Sequence, residues 1–236
     1  MVNVKLADTA IEMDNRFPDL AVLCAGYETD EAPVIRLSVS DEELEYERGM
    51  QSDIFSDGYL ETVCMYRKLA LEMLEHDVFI LHASVLEVDG EGYAFLAPSG
   101  TGKTTQTRLW LEYFGDRVRV VNGDKPLIRM ERDGESWAFR AYGTPWNGKE
   151  GMGCNASVRL KALYLLERAP EPECVPAPQA ISIDRLFRQM LMPQEEGKME
   201  MLLTMADRMI EALPMYILRC NMKDESVTAA YEAVQR

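Results

Sequence analysis

The chain has 236 residues, of which 47% are apolar and 28% charged, and acidic residues outnumber basic ones 40 to 25 for a net charge of −15. That length suits one large domain, or a core with a smaller appended unit, and the apolar share allows a sizeable buried core. So acidic a chain lacks the basic surface that nucleic acid or an anionic membrane needs, so neither is expected as a partner.

The five cysteines are scattered without a CxxC pair and there are two histidines, which argues against a disulfide framework, a zinc site or a multi-histidine metal site. The N-terminal run MVNVKLADTAIEMD holds charges where a signal peptide would hold an apolar segment. No stretch approaches the roughly 18 apolar residues of a membrane helix. A cytoplasmic location is the expectation.

Residues 1–56 read as short strands and turns, with Ala21–Cys24 and Val34–Leu37 strand-like and Ser40–Arg48 a charged loop or edge element. Leu60, Val63, Tyr66, Leu69, Ala70, Met73 and Leu74 recur at helical spacing, which predicts a helix over Gly58–His76. Val78–Val88 and Gly92–Ala97 flank Asp89-Gly90, a strong signal for a two-residue hairpin. A helix follows over Lys103–Phe114. Val118–Val121 then reads as a short strand of the kind buried in a parallel sheet. Pro126–Met130 and Ser136–Tyr142 predict a second hairpin around Asp133-Gly134. Val158–Leu166 is a further strand and Pro170–Pro178 an irregular loop. Helices over Ile181–Leu191 and Lys198–Ala212, a strand over Pro214–Arg219 and a helix over Asp224–Val234 complete the chain. The division expected is an N-terminal α/β segment, 1–77, packed on a nucleotide-binding catalytic domain, 78–236.

The run from Ala97 to Thr104, APSGTGKT, has the Walker A spacing with Ala97 in place of the usual first glycine. Gly100 and Gly102 let the backbone curl so that successive N–H groups face an anion, and the following helix aims its positive end at the same place. Pro98, Ser99, Gly100, Thr101, Gly102, Lys103, Thr104 and Thr105 are therefore the expected nucleotide contacts. Lys103 is expected at the β/γ-phosphates, and the Thr104 hydroxyl at Mg²⁺.

Counting register back from the Asp89-Gly90 turn sets His82 opposite Ala97, at the mouth of the loop. That position suits a group hydrogen-bonding a phosphate or a catalytic carboxylate, and equally a structural histidine at a strand end. Asp124 follows the strand after the loop helix, where a carboxylate holds Mg²⁺ or takes a proton from an attacking hydroxyl. The glycine-rich stretch Tyr142–Gly153 gathers Thr144, Trp146, Asn147, Lys149 and Glu150 as candidate substrate-loop residues. Trp146 is placed to stack on a base or substrate, Lys149 to meet an anion, and Glu150 to bind metal or act as a base. A surface loop anchored by one tryptophan explains the same residues equally well.

Together, His82-Ala83-Ser84, the hairpin, Ser99–Thr104 and Val120–Arg129 with Asp124 resemble the catalytic domain of HPr kinase/phosphorylase and its relatives. The likeness covers residues 78–167. It implies an α/β fold with a mixed β-sheet and a phosphoenolpyruvate-carboxykinase-like P-loop core flanked by helices. It further implies Asp124 as proton acceptor, Lys103 as phosphate clamp, Thr104 as a Mg²⁺ ligand and His82 as an active-site helper. That family often has two adjacent acids where this chain has Gly123 and Asp124. Glu150 is the candidate for the missing oxygen, giving Thr104, Asp124 and Glu150 as the metal set. The C-terminal region does not match the part that engages HPr, so HPr itself is not the expected substrate.

The expected activity is an ATP- and Mg²⁺-dependent kinase acting on a hydroxyl of a peptide, protein or small molecule. The alternatives are a nucleotide-binding regulatory or accessory protein, or a generic P-loop ATPase. Nucleotide and hydroxyl acceptor are the expected partners, and a homo-oligomer stays open.

Overall fold

Val2–Leu6 (β1) alternates buried and half-buried side chains and pairs antiparallel with the largely buried Thr9–Asp14 (β2), with Leu6 opposite Thr9. In this computed structural model, which describes residues 1–235, the next element is a helix, Pro18–Leu23 (α1), and not the expected strand over Ala21–Cys24. Proline suits the first helical position, and Leu20 and Cys24 are buried at helical i, i+4 spacing while Val22 points outward. Ile35–Ser38 (β3) adds to β2 in parallel.

The charged run after Ser40 is also a helix, Asp41–Met50 (α2), rather than a loop. Ser40 and Glu43 form a reciprocal capping box, which satisfies two orphan amides and fixes the helix start. Ser56 caps Asp57–Glu72 (α3), whose Leu60, Cys64, Met65 and Leu69 are buried. These elements share one core, which extends to Val78, Ile80, Leu127 and Tyr142 of the next unit. Across the same junction Arg129 donates to the Ala7 carbonyl and the Thr9 hydroxyl, and Tyr142 donates to Asp8.

The expected long strand 78–88 is two strands, Val78–Ile80 (β4) and Ala83–Val88 (β5), broken at Leu81-His82. Glu91–Leu96 (β6) returns through Asp89-Gly90, both at positive φ (50° and 86°), as a type I′ turn requires. Ala83 faces Leu96 and Val88 faces Glu91, so the register matches that counted from the sequence. Lys103–Phe114 (α4) has the expected bounds. Val118–Asn122 (β7) then pairs antiparallel with β5, not within a purely parallel sheet. The next hairpin, Leu127–Asp133 (β8) and Ser136–Tyr142 (β9), turns at Gly134-Glu135, one residue later than expected, because Asp133 pairs with Ser136.

Ser157–Arg168 (β10) is the hub of the main sheet. It pairs antiparallel with β9 through 157–159 and parallel with β6 through 160–165. The loop 170–178 contains a strand, Glu173–Pro176 (β11). Gln179–Phe187 (α5) and Glu196–Ala212 (α6) precede Met215–Cys220 (β12), which pairs with both β10 and β11, and Glu225–Gln235 (α7) closes the described chain. Among the described residues the α/β fold has a three-stranded sheet, β1-β2-β3, and a mixed sheet of nine strands, β4-β8-β9-β10-β6-β5-β7, with β12 and β11 joined beside β10.

Period-2 alternation along β6 divides its two faces. Tyr93 and Phe95 enter an aromatic layer with Trp110, Tyr164 and Tyr231 beneath α4 and α7. Ala94 and Leu96 face the layer that holds Leu202, Met205 and Met209 of α6. The topology also positions the site. β5 is antiparallel to both β6 and β7, so the ends of β6 and β7 and the start of β5 meet at one edge of the sheet.

Candidate functional site

That edge brings three sequence-predicted residues together. After β6 the chain curls through Gly100 (φ 77°) and Gly102 (φ 136°), a backbone only glycine adopts readily, into the N-terminus of the 12-residue α4. A Cβ built at either glycine meets nothing within 4 Å, so the curl faces open space. Ala97 is not among the residues at positive φ, so the conformation at the first loop position accepts a Cβ. Arg168, at the end of β10, donates to the carbonyls of Gly100 and Thr101 (3.1 Å to Thr101) and holds them from outside the loop.

Lys103 is buried, with Nζ 2.8 Å from the Ala97 carbonyl and 3.1 Å from His82 Nε2. His82 Nε2 lies in turn 3.1 Å from Asp124 Oδ1, and Lys125 Nζ lies 3.2 Å from Asp124 Oδ2. One imidazole nitrogen therefore stands between an ammonium and a carboxylate, and it serves only one of them at a time. It accepts from Lys103 when unprotonated and donates to Asp124 when protonated. Burial, with the Lys125 charge, pushes Lys103 down to about 8 against the opposing pull of Asp124. Burial works to raise Asp124, but its hydrogen bond to His82 and the nearby Lys125 outweigh it and hold the carboxyl at about 2.

Asn122 builds the turn that presents Asp124. Its Oδ1 accepts from the amides of Asp124 (2.8 Å) and Lys125 (2.7 Å), and its Nδ2 donates to Thr144. Thr144, an expected substrate contact, is buried and donates to the Lys125 carbonyl, so it braces this turn. Trp146 donates to the Thr62 carbonyl and lies against Tyr66 of α3, which makes it the anchor of its loop and leaves it packed away from a stacking position. Tyr66 is raised first by burial and then by the charge of Asp124.

Glu150 pairs with Arg108 on the exposed side of α4, and Lys149 is exposed. The structure gives a physical reason for Gly123. A Cβ there would stand 2.9 Å from the carbonyl oxygens of both Asn147 and Met152, so the folded-over loop leaves no room for a second acid. Among the described residues, no group of three or more His, Cys, Asp or Glu side chains is arranged to hold a metal ion. Thr104, on the first turn of α4, and Asp124 remain the oxygen donors beside the loop. Asn122, Lys125 and Arg168 were missed in the sequence. The Asn-Gly-Asp turn signalled the first, while the other two act through contacts no motif encodes.

The family model of the SynChlorMet cassette protein ScmC matches residues 59–227, and the chain belongs to that family. No curated protein matches it. The assignment to the HPr kinase/phosphorylase group made from motif order is thereby corrected. A Walker-like loop sequence and a hairpin are local features that recur in separate lineages, so they do not fix descent. The match begins at Tyr59, inside α3, so it also includes part of the segment placed before the catalytic domain.

Proposed function

We propose that this ScmC-family chain binds the phosphates of ATP at Ala97–Thr105 and transfers the γ-phosphoryl group to a hydroxyl acceptor. The observation that carries this reading is the meeting of Lys103, at the start of α4, with His82, before β5, and Asp124, after β7, at 3.1 Å spacings. A phosphate cradle alone fits any nucleotide binder. A clamp lysine linked through histidine to an ionised carboxylate adds the parts that phosphoryl transfer uses.

In this reading the amides of the loop and the N-terminus of α4 receive the phosphates, and Lys103 moves from the Ala97 carbonyl onto them. Asp124 orients the acceptor hydroxyl and takes its proton as the bond to phosphorus forms. Held at about 2, it is a weak base. A loose transition state asks for little base strength, so positioning does most of the work. As the lysine leaves, His82 Nε2 is released from accepting its hydrogen bond and holds Asp124 by donation when that nitrogen carries the imidazole proton. Thr104 and Asp124 would hold Mg²⁺, which would supply charge neutralisation at the phosphates.

The antiparallel β5 beside the loop strand speaks against a parallel-sheet ATPase. A nucleotide-binding regulatory protein is the second reading, favoured by the closed contacts on both oxygens of Asp124. Single-turnover transfer from γ-labelled ATP separates the two. The kinase reading expects Asp124→Asn to bind ATP and transfer nothing. Transfer at the wild-type rate by that variant would overturn the mechanism.

A further inference from the structure

A furrow runs along the loop after β6, between it and α5, and shares Ala97–Thr101 with the proposed nucleotide site. Its two hollows, of about 250 and 490 Å³, join where Pro98 and Arg185 line both. The first lies at Ala97 and Pro98 and is walled by Arg185, Arg188 and Gln189, and the second continues to Arg168.

The charge of this furrow departs from that of the chain. Arg168, Arg185 and Arg188 face only Glu167 and Asp184 there, a local excess of positive charge in a protein of net −15. Arg188 grips Asp184 through Nε and Nη2 at 2.8–3.0 Å, and Arg185 holds Glu167 at 2.7 Å. Each guanidinium is thus already set to hold a carboxylate. Asp184 is half exposed, so exchange of that pair for a ligand's carboxylate costs little.

Gln189 is buried to 6% exposure, and among the described residues its Oε1 has no hydrogen-bond partner. A buried acceptor left unpaired is unfavourable, and an occupant with an N–H or O–H donor relieves it. Gln189 also connects the furrow to the reacting centre. Its carbonyl accepts from the His82 amide at 2.8 Å, and the His82 ring contacts Asp124. Gln189, in the wall of the first hollow, thus adjoins the backbone of the residue whose ring holds the proposed proton acceptor.

We infer that this furrow is the acceptor subsite and that it takes a hydroxyl compound bearing a carboxylate, held by Arg185 and Arg188 with Gln189 Oε1 accepting from its N–H or O–H. The inference rests on the kinase reading for the word acceptor. The binding itself does not, so it is measured on the full chain without nucleotide.

Two probes represent the two sources of such a group: a fluorescein-labelled peptide of sequence Glu-Ser-Glu-Asp-Ser-Glu, and glycerate as its competitor. We expect the peptide to bind at least about tenfold tighter than its Gln/Asn counterpart, the ratio one lost charge-assisted pair gives. Displacement by glycerate identifies a small hydroxy acid as sufficient, and retention of the peptide identifies a chain, each within the inferred class. Arg185→Gln and Arg188→Gln should each weaken the acidic peptide severalfold and leave the affinity for a fluorescent ATP analogue unchanged. Arg188→Glu should shift preference toward a Lys-containing peptide, a gain that misfolding cannot produce. Equal binding of acidic and neutral peptides, or loss of ATP affinity in the arginine variants instead, overturns the assignment. A chain that holds the acidic peptide but no ATP would leave this subsite standing and sink the kinase reading.

Discussion

Replacing Lys103 with methionine separates binding from stability. Burial, aided by Lys125, lowers this ammonium from 10.5 to about 8. At about 1.4 kcal/mol per pH unit, keeping the charge there costs on the order of 3 kcal/mol of folding stability. Methionine has a similar reach and no charge, but it gives up the bonds to the Ala97 carbonyl and to His82 Nε2, about 1 kcal/mol each. The ligand-free variant should therefore be more stable than wild type by about 1 kcal/mol at pH 7, which for a chain of this size raises the melting temperature by about 3 °C.

The sign of the pH dependence follows from the lowered pKa. Below about 8 the lysine is charged in both states and the penalty is complete. As pH rises to 10.5 the penalty fades, so the variant's advantage should vanish there. Urea unfolding of both proteins at the two pH values reads this difference while other titrating groups cancel. A variant less stable than wild type at pH 7, or an advantage independent of pH, would refute the reasoning. Stabilisation bought at the cost of function is the usual mark of a binding residue.

Other outcomes follow from neighbouring residues. Asp124 is held at about 2 against 3.8 in the unfolded chain, so its stabilising contribution is present above 3.8 and is lost as pH falls toward 2. Allowing for its partial exposure, Asp124→Asn should cost about 1–2 kcal/mol at pH 7, and unfolding at pH 3 should show the gap closing. Gly123→Ala drives a Cβ against two carbonyl oxygens, so chemical denaturation should report a loss of about 1–3 kcal/mol. Glu150→Gln removes only an exposed pair with Arg108, so stability should change by less than about 1 kcal/mol and single-turnover transfer should hold. Collapse of transfer in that variant would mean Glu150 reaches the metal after all.

The residues that could be read in advance were those whose local chemistry dictates backbone shape. Asp89-Gly90 demands positive φ at both positions, which fixes the register and hence the place of His82 opposite Ala97. The spacing of Gly100, Gly102 and Lys103 likewise fixes where α4 begins. What was missed depends on tertiary context. The capping box of α2 hides in a run of charges that resembles a solvated loop. The direction of β7 relative to β5 has no local signature.

The loop residues carried two readings in the sequence, and tertiary contacts favour the loop anchored by one tryptophan. Trp146 and Thr144 have the chemistry of substrate contacts, but α3 and the Asp124 turn claim them. Glu150 is drawn to Arg108 across the loop. Gly123 reads as a lost acid in sequence and as a packing requirement in space. Descent was the furthest from reach, since a phosphate loop is shared more widely than any one family.

Titration of ATP–Mg²⁺ into the chain by calorimetry, with Lys103→Ala beside it, tests the central claim most directly. Saturable one-to-one binding that weakens by about 10–100-fold in the variant, the worth of one charge-assisted contact, is the predicted result. Equal affinity in the two proteins, or no heat of binding in either, would contradict it.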